Sequence, residues 1–208
     1  MLNFAEENDI IMKRLNEIIK ENYKGEIFYD GWVKCKHMQR GLTHCDECLV
    51  INACWFYSPK SPIIPHHPNC HCKYEMIPTP TMNNCVARCP VGKIKDYIFG
   101  GYNSDGVTKQ PISEFLGYTI DDSEYICKEF ERQALKAYIE GNYKLGTLNK
   151  YGQRITIDIL LENNGKRYYK GSGWMVRENG EITNNTPIAK AINKKLENEV
   201  KNENKQYS

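Results

Sequence analysis

The sequence predicts an α+β fold: a small cysteine-rich module, then a domain in which helices precede an antiparallel β-meander and a further helix closes the chain. Three observations predict it. Apolar residues recur at helical spacing over 3–22 and again over 121–139. From Gly152 the period shortens to two, with Ile155, Ile157, Ile159 and Leu161 alternating with Thr156, Asp158 and Leu160, as a strand with one buried face requires. Between the two helical stretches lie two close cysteine pairs, Cys45/Cys48 and Cys70/Cys72. Helices followed by a meander place the helices on one face of the sheet.

Composition sets the outer bounds. At 208 residues the chain can bury one sizeable core and carry a smaller module beside it. Its 40% hydrophobic and 26% charged content are those of a soluble globular protein, and no apolar run approaches a membrane-spanning length. The net charge of +2 hides an uneven distribution: residues 1–90 balance, 91–142 sum to −3 and 143–208 to +5. A basic C-terminal stretch with interleaved tyrosines suits either nucleic acid or a solvated surface.

In order, residues 1–30 form an N-terminal amphipathic helix, 31–80 a cysteine-rich module and 90–208 a second domain. Ile10, Ile11, Leu15, Ile18 and Ile19 line one face of the first helix, and Gly25 stops it. Phe28 to Lys34 reads as short extended pieces. Met76-Ile-Pro-Thr-Pro80 reads as the linker, because proline removes a donor and restricts the residue before it. Val91 to Phe99 is a short helix and Pro111 to Leu116 a helical turn. Asp121, Asp122 and Ser123 cap a helix that runs to Ile139, with Tyr125, Ile126, Phe130, Leu135, Tyr138 and Ile139 as its apolar face and Gly141 as its stop. Asn164-Gly165 joins the first two strands of the meander and Asn179-Gly180 the next two, since Asn and Gly tolerate the positive φ of hairpin turns. Thr186-Pro187 is a cap and first-turn pair for a last helix through Ile188, Ile192 and Leu196.

The cysteines carry the most specific signal. A Cys-x-x-Cys turn converges two sulfurs on one ion at roughly 2.3 Å, and a second pair from elsewhere completes a tetrahedral site. Cys45, Cys48, Cys70 and Cys72 therefore predict a structural Zn2+ site, with His44, His67 or His71 as substitutes for one thiolate and Cys35, His37 and Cys54 near enough to offer others. A closed four-ligand site leaves no position for a reacting water. Disulfides rank behind the metal: the start of the chain lacks a signal-peptide pattern, and nine cysteines leave one unpaired. Redox chemistry at Cys45 wants a strand-to-helix setting that the flanking residues do not suggest. Cys85 and Cys89 read as two buried thiols or as a further metal pair.

The run His44-Cys45-Asp-Glu-Cys48, Trp55, Pro65 and the closing His67-Pro-Asn-Cys70-His-Cys72 resembles the cysteine-rich end of phage Mu F-like minor head (head morphogenesis) proteins. A second likeness covers the C-terminal half. Lys93-Ile-Lys-Asp-Tyr97-Ile, Phe115-Leu-Gly117-Tyr, Tyr151-Gly-Gln153, Asn164-Gly-Lys166 and Ser172-Gly-Trp174-Met-Val together resemble an uncharacterised domain at the C-termini of phage head proteins and polymorphic toxins. That domain is related to the barnase, EndoU, colicin and RelE-like nucleases. The resemblance implies a phage or prophage protein, in the bacterial cytoplasm or the virion, whose partners are RNA and an immunity or phage head protein.

Metal-independent RNA cleavage needs a base for the 2′-hydroxyl, an acid for the leaving oxygen and cations for the phosphate. All five histidines lie at or before His71, so a histidine pair in the C-terminal domain is excluded. Lys93, Arg154, Asp158, Lys166 and Thr186 are the candidates, drawn from a set that also holds Lys109, Arg167, Tyr168, Tyr169 and Thr183. Two functions follow: an RNA-cleaving effector with a zinc adaptor, or a non-catalytic zinc-binding minor head or accessory protein that acts by binding a partner.

Overall fold

The computed structural model describes residues 30–37, 45–65, 70–100 and 115–188. All of these but Asp30 belong to one compact unit, Gly31–Ser208. The helix expected over 3–22, the loop before Phe115 with most of its helical turn, and the last helix beyond Ile188 lie outside the described residues. So do His44, His67 and Lys109.

The architecture is α+β, with helices and two sheets. Strands β1 (Trp32–His37), β2 (Trp55–Tyr57) and β3 (Cys72–Ile77) form an antiparallel sheet in the order β2-β1-β3, and the short helix α1 (Asp46–Ile51) lies between β1 and β2 in sequence. Met76 and Ile77, expected in a linker, continue β3, where Ile77 pairs with Trp32 across the sheet. The prolines act one residue later: Pro78 and Pro80 follow the last paired residue, where no ladder donor is needed.

The second sheet has five strands in the order β4-β8-β7-β6-β5. Its centre is the hairpin of β6 (Gly152–Asn163) and β7 (Lys166–Val176), turned at Asn164-Gly165 with φ of 52° and 71°. Asn179-Gly180, with φ of 56° and 80°, turns the chain into β8 (Glu181–Thr186). Two strands were not foreseen. β5 (Lys144–Asn149) pairs antiparallel with the start of β6, and β4 (Val86–Arg88) adds a parallel strand on β8. Both are short or polar, so neither shows a period.

The period of two in β6 is real: Ile155, Ile157, Ile159 and Leu161 are all buried, facing Trp174 and Val176 of the same sheet side. Against this strand pack α3 (Ser123–Ile139) and α1, while α2 (Val91–Ile94), which continues as a π-helical turn through Phe99, packs on α3. The buried stripe of α3 is Ile126, Cys127, Phe130, Ala134 and Tyr138, whereas Tyr125 is exposed. The cap also differs from expectation. Thr119 opens a single 3₁₀ turn ahead of α3 and forms a capping box with Asp122, whose carboxylate accepts from the Thr119 N–H at 2.7 Å and its hydroxyl at 3.0 Å.

The segments read as domains 31–80 and 90–208 share a core. Trp32, Cys54 and Phe56 are buried in the same cluster as Tyr138 and Trp174. The Tyr138 hydroxyl donates to the Trp55 carbonyl at 2.6 Å, and the Tyr57 N–H donates to the Tyr143 hydroxyl at 2.9 Å. Gly141, at φ +67°, allows this approach, since a Cβ there would lie 2.7 Å from the Tyr57 ring.

One device closes the sheet edge. β5 runs out opposite Thr156, which leaves the rest of the β6 edge without a strand among the described residues. The Gln133 side-chain amide of α3 replaces it, donating to the Leu160 carbonyl at 2.8 Å and accepting from the Leu160 N–H at 2.9 Å. The Tyr118 hydroxyl takes the Glu162 carbonyl at 2.8 Å. Backbone groups that would otherwise template a foreign strand are thus satisfied by side chains.

Candidate functional site

The first site is the thiol cluster. Cys45 is the N-cap of α1, with its sulfur accepting the Cys48 N–H at 3.4 Å, so one helical turn sets Cys45 and Cys48 on the same side. This is a helix-start setting that the flanking residues had not suggested. Cys72 opens β3 opposite His37 of β1, and Cys70 lies two residues before it. The sulfurs of Cys48, Cys70 and Cys72 all lie within 4.8 Å of one another and form a group that could hold a metal ion. The Cys48 and Cys70 sulfurs are 3.8 Å apart, and two thiolates on a tetrahedral zinc are separated by roughly 3.8 Å. Cys45, the fourth predicted ligand, is not one of these three, although its side chain hydrogen-bonds that of Cys48.

The electrostatics fit a cation. Burial, and then the Cys45 and Cys72 sulfurs, push the Cys48 thiol far above its ordinary value, and burial pushes the Cys72 thiol up to about 12 against the lowering effect of its hydrogen bond with Cys48. Sulfurs gathered this closely resist ionising unless a positive charge stands among them. Of the spare donors, Cys35 is fully buried and hydrogen-bonds Cys72, with its thiol pushed up to about 12 chiefly by burial. Cys54 points elsewhere, donating to the Val50 carbonyl at 3.4 Å. His37 hydrogen-bonds the Cys48 carbonyl through Nε2, and His71 is exposed.

The second site is the face of the large sheet that turns away from the Ile155–Leu161 stripe. Strand alternation sets Arg154, Thr156 and Asp158 of β6 on it. Across the ladder Arg154 meets Met175, Thr156 meets Gly173 and Asp158 meets Gly171. A register shift at Gly173/Trp174 brings Thr186 of β8 opposite Gly173, so Thr186 joins the same face. A Cβ on Gly173 would lie 3.2 Å from the Thr186 Cβ and 2.9 Å from Asn185 Oδ1. Lys93 reaches this corner from α2, donating to the Asn185 carbonyl at 3.1 Å.

Arg154, Asp158 and Thr186 therefore share one face of the sheet, with Lys93 at its corner. By strand spacing, Asp158 and Thr186 are separated by two strands and two residues, roughly 12 Å. Lys166 is elsewhere. It sits at the hairpin tip in register with Asn163, on the opposite face, with its ammonium 5.2 Å from the Phe115 ring. The distance along β6 from Arg154 to that tip is roughly 30 Å. A turn flanked by basic residues gives no hint in sequence of which face each one takes.

Asp158 is the best-defined polar group there. The Tyr169 hydroxyl donates to its Oδ2 at 2.8 Å, while Oδ1 is buried with no hydrogen-bond partner among the described residues. Burial and the adjoining carboxylate hold the Tyr169 phenol well above its ordinary value, so it stays a donor. Asp158 also lines a cleft of about 410 Å³ between α3 and the β6 edge, together with Tyr118, Tyr125, Arg132 and Gln133. Tyr118 and Tyr125 form its aromatic wall, with ring centroids 6.3 Å apart. Sequence reasoning missed Gln133, since a polar residue in mid-helix carries no pattern, whereas Cys35, offered as a spare donor, does reach Cys72.

No helix among the described residues is long and apolar enough to cross a membrane. No curated protein and no solved structure matches the chain. A family model does match over residues 82–186, the span that holds α2, α3 and all five strands of the large sheet, and on that match the chain belongs to the family described as Domain of unknown function (DUF6883).

Proposed function

We propose that this chain is an RNA-cleaving effector of phage or prophage origin, held together by one structural zinc ion on Cys45, Cys48, Cys70 and Cys72. The observation that carries the nuclease reading is the gathering of Arg154, Asp158 and Thr186 on one sheet face, with Lys93 at its corner. Between them run Gly171 and Gly173, both buried. Asp158, oriented by Tyr169, takes the proton of the 2′-hydroxyl as that oxygen attacks phosphorus. Arg154 and Lys93 stabilise the charge on the phosphorane, and Thr186 offers it a hydroxyl. The leaving 5′-oxygen receives a proton from Asp158 itself or from water, leaving a 2′,3′-cyclic phosphate. Zinc supplies no step; four thiolates saturate it.

Incubation of the zinc-loaded protein with tRNA is the test. Cleavage with cyclic-phosphate ends is expected, and Asp158→Asn should slow it by roughly 10²–10⁴-fold, with Lys166→Gln close to wild type. RNA that stays intact would sink this reading. The rival would then stand, a zinc-containing minor head or accessory protein that acts by binding a partner. One observation favours that rival: Lys93 and Asp158 each already hold an intramolecular hydrogen bond.

A further inference from the structure

A second pair of thiols lies away from the metal cluster. Cys89, just after β4, and Cys127, in the first half of α3, bring their sulfurs to 3.3 Å. They are 38 residues apart in sequence and come from different elements, so only the fold introduces them. Cys85, the partner that spacing suggested for Cys89, does not make this contact. The surroundings hold Cys89 in place: its N–H donates to Glu131 Oε1 of α3 at 2.8 Å. A disulfide has an S–S length near 2.05 Å, so the sulfurs need to close by about 1.3 Å.

We propose that Cys89 and Cys127 form a reversible disulfide when the protein meets a hydroperoxide. The Cys127 thiolate attacks one peroxide oxygen, the O–O bond breaks, and sulfenic acid and hydroxide result; the hydroxide takes up the proton Cys127 released and leaves as water. The Cys89 sulfur then attacks the sulfenic sulfur, the S–O bond breaks, and a second water leaves with the Cys89 proton. Two electrons pass from the two sulfurs to the peroxide. The 3.3 Å contact lets the shared proton sit on either sulfur; when Cys89 holds it, Cys127 is the attacking thiolate and Cys89 the resolving thiol. Exposures of 5% for Cys89 and 3% for Cys127 select a small oxidant over a bulky disulfide. The bond would tie the edge strand β4 and the start of α2, which carries Lys93, to α3.

The full chain, metal-loaded, is treated with hydrogen peroxide, alkylated and cut with trypsin. Peptide 89–93 should appear joined to peptide 110–128, lighter by two hydrogens than the two together, and dithiothreitol should separate them. Closing a loop of this length should also raise Tm by roughly 5–10 °C, and Cys127→Ala should abolish that rise. Recovery of both cysteines alkylated, their conversion to sulfinic acids, or a Cys85–Cys89 link in the wild-type protein would overturn the proposal.

Discussion

The two sheets of this molecule are stabilised by different physics. In the five-stranded sheet the long hairpin buries Ile155, Ile157, Trp174 and Val176 completely under α3. In the three-stranded sheet β3 has no fully buried residue, and Met76 on it is 65% exposed. β1 and β2 bury Trp32, Val33, Cys35 and Phe56 in the shared core, but the edge strand β3 offsets little of its own conformational entropy by burial. What it has instead is a cluster of thiols at the junction of α1 and β3. The contrast teaches that the thiol group able to hold a metal lies beside the strand that burial stabilises least.

The largest expected effect breaks that contrast directly. Removing the metal with a chelator, or changing Cys70 and Cys72 to serine, should cost the three-stranded sheet several kcal/mol, because binding energy at such sites is folding energy. Hydrogen exchange would read it: the amides of β1 and β3 should lose protection while those of β6 and β7 keep theirs. Native mass spectrometry should show one zinc per chain. Equal protection of β3 with and without chelator would dissolve the distinction between the sheets.

The second prediction attacks the other side. Trp174 is fully buried beneath α3, and Trp174→Ala should cost about 3–5 kcal/mol. Denaturant unfolding measures it, and here the loss should be global. A loss that left β6 and β7 intact would mean that the hairpin does not carry the fold.

Much of the large sheet was legible because its signals are local. Alternation in β6 and the Asn-Gly turns need only their own neighbours to be read. The thiol group was legible in the same way, since Cys48, Cys70 and Cys72 sit in close pairs. Contacts between segments were not. Tyr138 of α3 and Trp55 of β2 are 83 residues apart, and nothing in either segment names the other. The sorting of basic residues by sheet face was hidden as well, because a one-residue register shift at Gly173 decides where Thr186 goes.

The third prediction tests the seam between the sheets. The buried Tyr138 hydroxyl donates to the Trp55 carbonyl, so Tyr138→Phe leaves that acceptor without its partner and should cost about 1–2 kcal/mol. The ring still packs edge-on to Trp32, with centroids 5.1 Å apart, so the loss isolates the hydrogen bond. If the two sheets fold as one cooperative body, exchange protection should fall in both. Protection lost in the three-stranded sheet alone would make the seam a boundary between separately melting parts.

The smallest effect compares one carboxylate from each region. Glu129 on α3 is held below its ordinary value of 4.5 by the Arg132 guanidinium, which reaches it at 2.8 Å. Glu75 on β3 is lowered too, first by its hydrogen bond with Lys36, a surface contact in which the Lys36 side chain is 52% exposed. A carboxylate whose folded pKa is depressed stabilises the protein above its unfolded pKa and loses that contribution as pH falls through the folded value. The Glu129 contribution should therefore be complete above about pH 4.5 and fade below it. Since Arg132 is 60% exposed, screening keeps it under about 0.5 kcal/mol. Comparing wild type with Glu129→Gln by thermal unfolding should show a small gap at pH 6 that closes toward pH 3. A gap that widened as the solution became more acidic would reverse the sign and remove the ion pair from the account of why α3 stays seated on the sheet.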